Sequence, residues 1–126
     1  MATLERNMPI QFGCIAQYDA TTRALTVTTL GVVSQAYSVR LDLQRGAEIL
    51  IDENGLDACV TGHLVHESDT QQVALPLLQR LANYGLGSVV IAPLIAEQNF
   101  FGVLIAARHD INGFSSPDCE FLKQLS

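Results

Sequence analysis

The strongest constraint on this chain is a pair of apolar runs, residues 89–95 (VVIAPLI) and 100–107 (FFGVLIAA), separated by the polar stretch Glu97-Gln98-Asn99. Two such runs around a short polar turn read as a β-hairpin. Neither run alternates apolar with polar residues, the pattern of strands covered on both faces. The hairpin therefore belongs at the centre of a sheet with helices on either side. Pro93 cannot donate to a β-ladder, which predicts a bulge or an end of pairing there. Gly102 predicts a bulge or the close approach of another backbone. Downstream, Ser116 is placed as a helix cap, Pro117 at the first helical position, and Asp118 and Glu120 in the first turn. Phe121, Leu122 and Leu125 begin an apolar stripe that Ser126 cuts off, so the helix is expected to continue in a longer natural protein.

Upstream, Ile10, Phe12, Cys14, Ala16 and Tyr18 alternate with Gln11, Gly13, Ile15 and Gln17, and β-branched residues 24–30 follow a polar turn at residues 19–22, predicting a first hairpin. Residues 1–8 read as a lead-in, and residues 31–45 fit either a loop or a short helix. A short strand is expected at residues 48–51. Asn54 is a plausible N-cap for a helix carrying Leu56, Cys59 and Val60 on one stripe and stopped by Gly62. A short extended piece at residues 64–66 precedes a second helix, with Pro76 near its start, Leu78, Leu81 and Ala82 as its buried stripe, and Gly85 as its stop.

At 126 residues the chain has the size of one domain, able to bury roughly two-thirds of its unfolded surface. It is 48% hydrophobic and 16% charged, which excludes disorder and agrees with a sheet covered on both faces. The formal charge is −6, and the seven basic residues (Arg6, Arg23, Arg40, Arg45, Arg80, Arg108, Lys123) are scattered. A nucleic-acid footprint and a basic membrane-binding face are both missing. No apolar run reaches the roughly 20 residues that span a bilayer. Three cysteines in separate contexts, Cys14, Cys59 and Cys119, fit a reducing compartment, and the expectation is a cytoplasmic protein.

Three segments resemble a GAF domain, a small sensory module of bacterial signalling proteins. They are residues 55–69 (GLDACVTGHLVHESD), residues 85–94 (GLGSVVIAPL), and residues 101–105 (FGVLI) taken with 114–118 (FSSPD). Residues 12–14, 54–56 and 119–122 narrow the likeness to GAF modules of multidomain sensor histidine kinases. The resemblance implies an α+β, GAF/PAS-like (profilin-like) fold: a central six-stranded antiparallel sheet with helices on both faces. It implies a single sensory domain over residues 1–126, lacking the usual long N-terminal helix and cut within the last one. It further implies a ligand pocket on one sheet face, roofed by residues 52–84, and a homodimer through the terminal helices. Candidate pocket residues are Ile51, Leu56, Cys59, His66, Asp69, Leu81, Tyr84 and Arg108.

The chemistry within that frame is sparse. Cys59, His63, His66 and Asp69 are ligand-type residues, but Gly62 interrupts the helix between Cys59 and His63, so a metal is not expected. Cys59 reads as a small core hydrophobe. Cys59 is followed by Val60 where bilin-binding relatives usually carry a Cys-His pair. Phe114 and Asp118 match part of the cyclic-nucleotide signature, but Cys119 stands where that signature has Glu. Asp69 reads as a turn cap, and Arg108 with His109 as a strand end. No cofactor is expected. The functional expectation is a non-catalytic sensory module of a signalling protein such as a histidine kinase, acting with a small ligand or a neighbouring domain. The alternatives are a ligand-free dimerisation module and, more remotely, a thiol-dependent methionine sulfoxide reductase.

Overall fold

In the computed structural model, which describes residues 12–30, 43, 45–52, 56–72 and 75–125, six antiparallel strands stand in the spatial order β3-β2-β1-β6-β5-β4. They are β1 (Phe12–Asp19), β2 (Ala24–Leu30), β3 (Glu48–Leu50), β4 (Val65–Glu67), β5 (Ser88–Ala96) and β6 (Asn99–Arg108). Among the described residues three helices accompany them, α1 (Asp57–Val60), α2 (Pro76–Asn83) and α3 (Ser116–Leu125), with a 3-10 turn at Thr70–Gln72. The readings for residues 1–8, for Ile10 and Gln11 at the start of the first strand, for most of 31–45 and for Asn54 lie outside the described residues.

The closing hairpin is central, as its pattern predicts. β6 pairs with β1 on one side and with β5 on the other. Val89 and Ile91 of β5 and Val103, Ile105 and Ala107 of β6 enter one core layer with Phe12, Cys14 and Ala16 of β1. The alternate residues Val90, Ala92, Leu94, Leu104 and Ala106 enter a second layer on the other face. The first layer is closed by Leu56 and Cys59 beside and within α1 and by Leu77, Leu78 and Leu81 of α2; the second holds Phe114 and Leu122 of α3. Strand side chains alternate between faces, so a run without polar residues is stable only when both faces are roofed.

The marked residues resolve differently. A Cβ placed on Gly102 would fall inside the contact distance of the Ala16 carbonyl oxygen, so the close backbone approach expected there is present. Pro93, by contrast, neither ends pairing nor carries the bulge. It sits opposite Val103, and the register shift falls one residue later, between Leu94 and Ile95. β4 pairs β5 only from Val89 to Ile91. Beyond Ile91 the described β5 is therefore paired on one side alone, where a proline is tolerated. The hairpin turns on Glu97 and Gln98, at φ +52° and +68°. Two consecutive left-handed residues give the hairpin a turn twist that suits its strands, at a steric cost that Asn-Gly would avoid.

Both predicted glycine stops are present. After α1, Gly62 (φ +95°) donates to the Cys59 carbonyl at 3.0 Å and His63 to that of Ala58 at 2.9 Å. After α2, Gly85 (φ +84°) donates to Ala82 at 3.1 Å and Leu86 to Leu81 at 3.0 Å. These are paired bonds of the Schellman type, which satisfy carbonyls that the helix leaves open. The cap of α3 falls one residue before its expected position. Ser115 Oγ accepts the Asp118 N–H at 3.3 Å, and Asp118 Oδ2 accepts the Ser115 N–H at 3.0 Å. This reciprocal box places Pro117 second rather than first in the helix.

Replacing Gly102 with Ala should destabilise the fold by about 2–3 kcal/mol, because the backbones of β1 and β6 would have to separate. Denaturant unfolding of the variant measures this, and a loss below about 0.5 kcal/mol would mean the strands can separate freely.

Candidate functional site

Of the eight candidate pocket residues, four come together. Ile51, Leu56, Cys59 and Leu81 are all fully buried within the same core layer. They are packed side chains there, with no solvent reaching them. The Cys59 thiol lies 3.6 Å from the Ile91 carbonyl, and burial pushes it up to about 11. Cys14, in the same layer, is pushed up to about 12 by burial alone. Cys119, half-buried at the start of α3, is also raised, first by burial and then by Asp118 and Glu120.

The other four lie apart. His66 is exposed on the edge strand β4 and meets Phe114 edge-on at 6.4 Å, on the side of the second core layer. Asp69 accepts the Gln71 N–H at 3.1 Å and so shapes the 3-10 turn, as its turn-cap reading expects. Tyr84 is exposed at the end of α2. Arg108 stands at the end of β6, where its guanidinium donates to the Gly113 carbonyl and, at 3.2 Å, to Asp118 Oδ2. It also lies 4.5 Å over the Phe114 ring. His63 is exposed and within 3.1 Å of the Thr61 hydroxyl. Among the described residues no three His, Cys, Asp or Glu side chains converge.

A cleft of about 410 Å³ opens instead between the 3-10 turn and α2, lined by Thr70, Gln71, Gln79, Ala82 and Asn83. Leu77, Leu78 and Leu81 face the core, so Gln79, Ala82 and Asn83, spaced i, i+3, i+4, form the stripe on the other side of the helix. Ala82 was expected among the buried residues of α2; it is only partly buried, and Leu77 takes the place in the core. None of the eight candidates lines this cleft. Its signal in the sequence is the polar half of α2, opposite the apolar stripe.

The cleft floor is joined to the start of α3 through hydrogen bonds. Thr70, fully buried, donates its hydroxyl to the Leu86 carbonyl at 2.7 Å and its N–H to that of Gly87 at 2.9 Å. The Gly87 N–H bonds the His109 carbonyl at 3.1 Å, and the Asn112 N–H bonds that of Ser68 at 2.7 Å. Gly113 N–H reaches Ser88 Oγ at 3.2 Å, and Gly113 is also held by Arg108. Residues 109–113 thus bridge the cleft segment and the Arg108–Asp118 clasp. A separate exposed cluster, Arg23 with Asp52 at 3.0 Å and Asp57 at 2.8 Å, ties the β1–β2 turn to α1.

The family profile that matches this sequence is that of the GAF domain, over residues 1–126. The chain belongs to the GAF domain family. No curated protein matches it in sequence. Among solved structures, the GAF domain/HD domain protein of Geobacter sulfurreducens superposes with a TM-score of 0.76 at 16% identity, over 98% of this chain and 79% of that one. The GAF domain of a two-component sensor histidine kinase from Bacillus halodurans gives 0.75 at 18%, over 98% and 80%. The free methionine-R-sulfoxide reductase of Neisseria meningitidis gives 0.74 at 16%, over 98% and 67%. These likenesses establish the GAF fold, which serves regulatory and sensory modules of sensor kinases and also reductases.

In this GAF domain the Ser115 N–H, its hydroxyl and Arg108 hold the Asp118 carboxyl below its ordinary value of 3.8. A depressed carboxyl contributes stability above its unfolded pKa and loses it as pH falls through the folded one. The stability gap between the wild type and Asp118→Asn should therefore be widest near neutrality and close as pH falls below about 4. Urea unfolding across that range measures it, and a pH-independent gap would remove the carboxylate from the clasp.

Proposed function

We propose that this chain is a non-catalytic sensory module of a larger cytoplasmic signalling protein, a histidine kinase. It binds a small ligand, or feels a neighbouring domain, and relays the event through its terminal helices, which also join two copies. The observation that carries this reading is the hydrogen-bonded frame from Thr70 to the first turn of α3. Allosteric relay requires an element with two arrangements that both ends can bias. The first turn of α3 supplies one, because its box and its Arg108 bond share a single oxygen, Asp118 Oδ2. Closed, the turn is capped and clasped; open, it frays and leaves the sheet end.

The thiols argue against the reductase reading. A nucleophilic cysteine needs exposure and a depressed pKa. Cys14 and Cys59 are fully buried, all three thiols are shifted upward, and the neighbours of Cys119 are carboxylates. The native protein is expected to show at most one thiol reactive towards Ellman's reagent and no turnover of free methionine-R-sulfoxide with a dithiol reductant. Turnover that is lost on changing Cys119 to Ser would establish an enzyme in its place.

For the relay, Arg108→Met keeps an unbranched apolar stem beside Phe114 and removes the guanidinium bonds to Gly113 and Asp118. Amide exchange over residues 115–120 should then accelerate about fivefold or more, the equivalent of roughly 1 kcal/mol, with the β5–β6 ladder unchanged. Unaltered exchange in α3 would show that the clasp does not control the helix.

A further inference from the structure

We infer that the cleft between the 3-10 turn and α2 binds a small uncharged molecule that presents adjacent N–H and C=O groups, a cyclic imide or free nucleobase, and discriminates against anions carrying the same ring. The role of such a ligand as a signal rests on the sensory reading above; the site itself rests on the geometry of the cleft.

The volume, about 410 Å³, lies within the range of small-molecule sites. The position is unlike the one expected from the sequence. It is on the side of α2 away from Leu77, Leu78 and Leu81, which pack into the core. The chemistry of the wall is narrow. Gln71, Gln79 and Asn83 are carboxamides, each offering two donors and an acceptor, and Ala82 adds only a methyl group. Gln79 and Asn83 lie one turn apart on α2, and Gln71 lies on the 3-10 turn, so carboxamides from two elements line the one cleft. The three side chains belong to exposed residues, and they can turn to match either order of donor and acceptor.

Charge sharpens the class. None of the five lining residues is charged. Among the described residues the wall offers an anion no cation, in a chain of net charge −6. The nearest carboxylate in sequence, Asp69, already accepts the Gln71 N–H. Among the described lining residues a cation finds no carboxylate, and an apolar ligand little beyond Ala82. What remains is a neutral edge of alternating donors and acceptors, the edge that carboxamides match by hydrogen bonding.

The test is calorimetric titration of the chain with uracil and with orotate, the same ring bearing a carboxylate. Uracil is expected to bind, with orotate at least tenfold weaker. Gln79→Leu and Asn83→Leu should each weaken uracil about five- to tenfold, with melting temperatures within a degree or two of wild type, since both residues are exposed. No uracil binding up to about 10 mM, equal binding of orotate, or insensitivity to both substitutions would overturn the assignment. Amide exchange over residues 115–120, measured with and without uracil, separates the two proposals. Binding without a change in α3 leaves the site standing and removes its sensory role. Failure of uracil alongside a responsive Arg108→Met variant removes the ligand class and leaves the sensory role standing.

Discussion

The fold depends on the burial of β5 and β6 from both sides. Val89, Ile91, Val103 and Ile105 face one layer, and Val90, Ala92, Leu104 and Ala106 the other, all at 5% exposure or less. At roughly 25 cal/mol for each Å² of apolar surface removed from water, a strand covered twice gains about twice what a half-exposed strand does. That gain obliges the chain to supply two roofs. The segment holding α1 and α2 provides one, and α3 contributes to the other. Every other feature that matters for function is set by where those roofs meet the sheet. The cleft lies on the outside of the first roof, and the Arg108 clasp pins the start of the helix that serves the second.

Much of this architecture was legible in the residues. The unbroken apolar runs located the central hairpin. Gly62 and Gly85 located two helix ends, because a left-handed residue at that position is a local requirement with few substitutes. Gly102 marks either a bulge or a close approach, and only the nearby Ala16 carbonyl decides for the second. Pro93 was misjudged because its cost depends on whether a neighbouring strand reaches it, which is tertiary information. Ser115 and Ser116 were interchangeable as caps on sequence alone, since both precede Pro117 by a plausible distance. Only the bond to Asp118 separates them.

The site was less legible, and the reason is physical. The candidate residues were chosen by placing a family pocket beneath the roof, and the four best placed, Ile51, Leu56, Cys59 and Leu81, are spent on packing. Apolar residues on a helix stripe carry the same pattern whether they line a cavity or fill it. Arg108 and Asp69 were singled out as polar groups near the pocket, and each is engaged by its own backbone surroundings. The cleft residues are uncharged carboxamides of a kind found on any helix surface. Their meaning comes only from the 3-10 turn brought opposite them by the Thr70 bonds to Leu86 and Gly87.

The twice-covered hairpin also has a consequence for the life of the chain before it is folded. Residues 89–94 and 103–107 together hold one proline, no charge and mostly β-branched or small apolar side chains, the composition that pairs readily with further copies of itself. In the native sheet β1 occupies the far edge of β6, and two roofs screen the faces. During synthesis the β1 strand is made first, but α3, at the chain's far end, emerges only after the hairpin is complete. The interval between those events is when the protein is most exposed to misassembly.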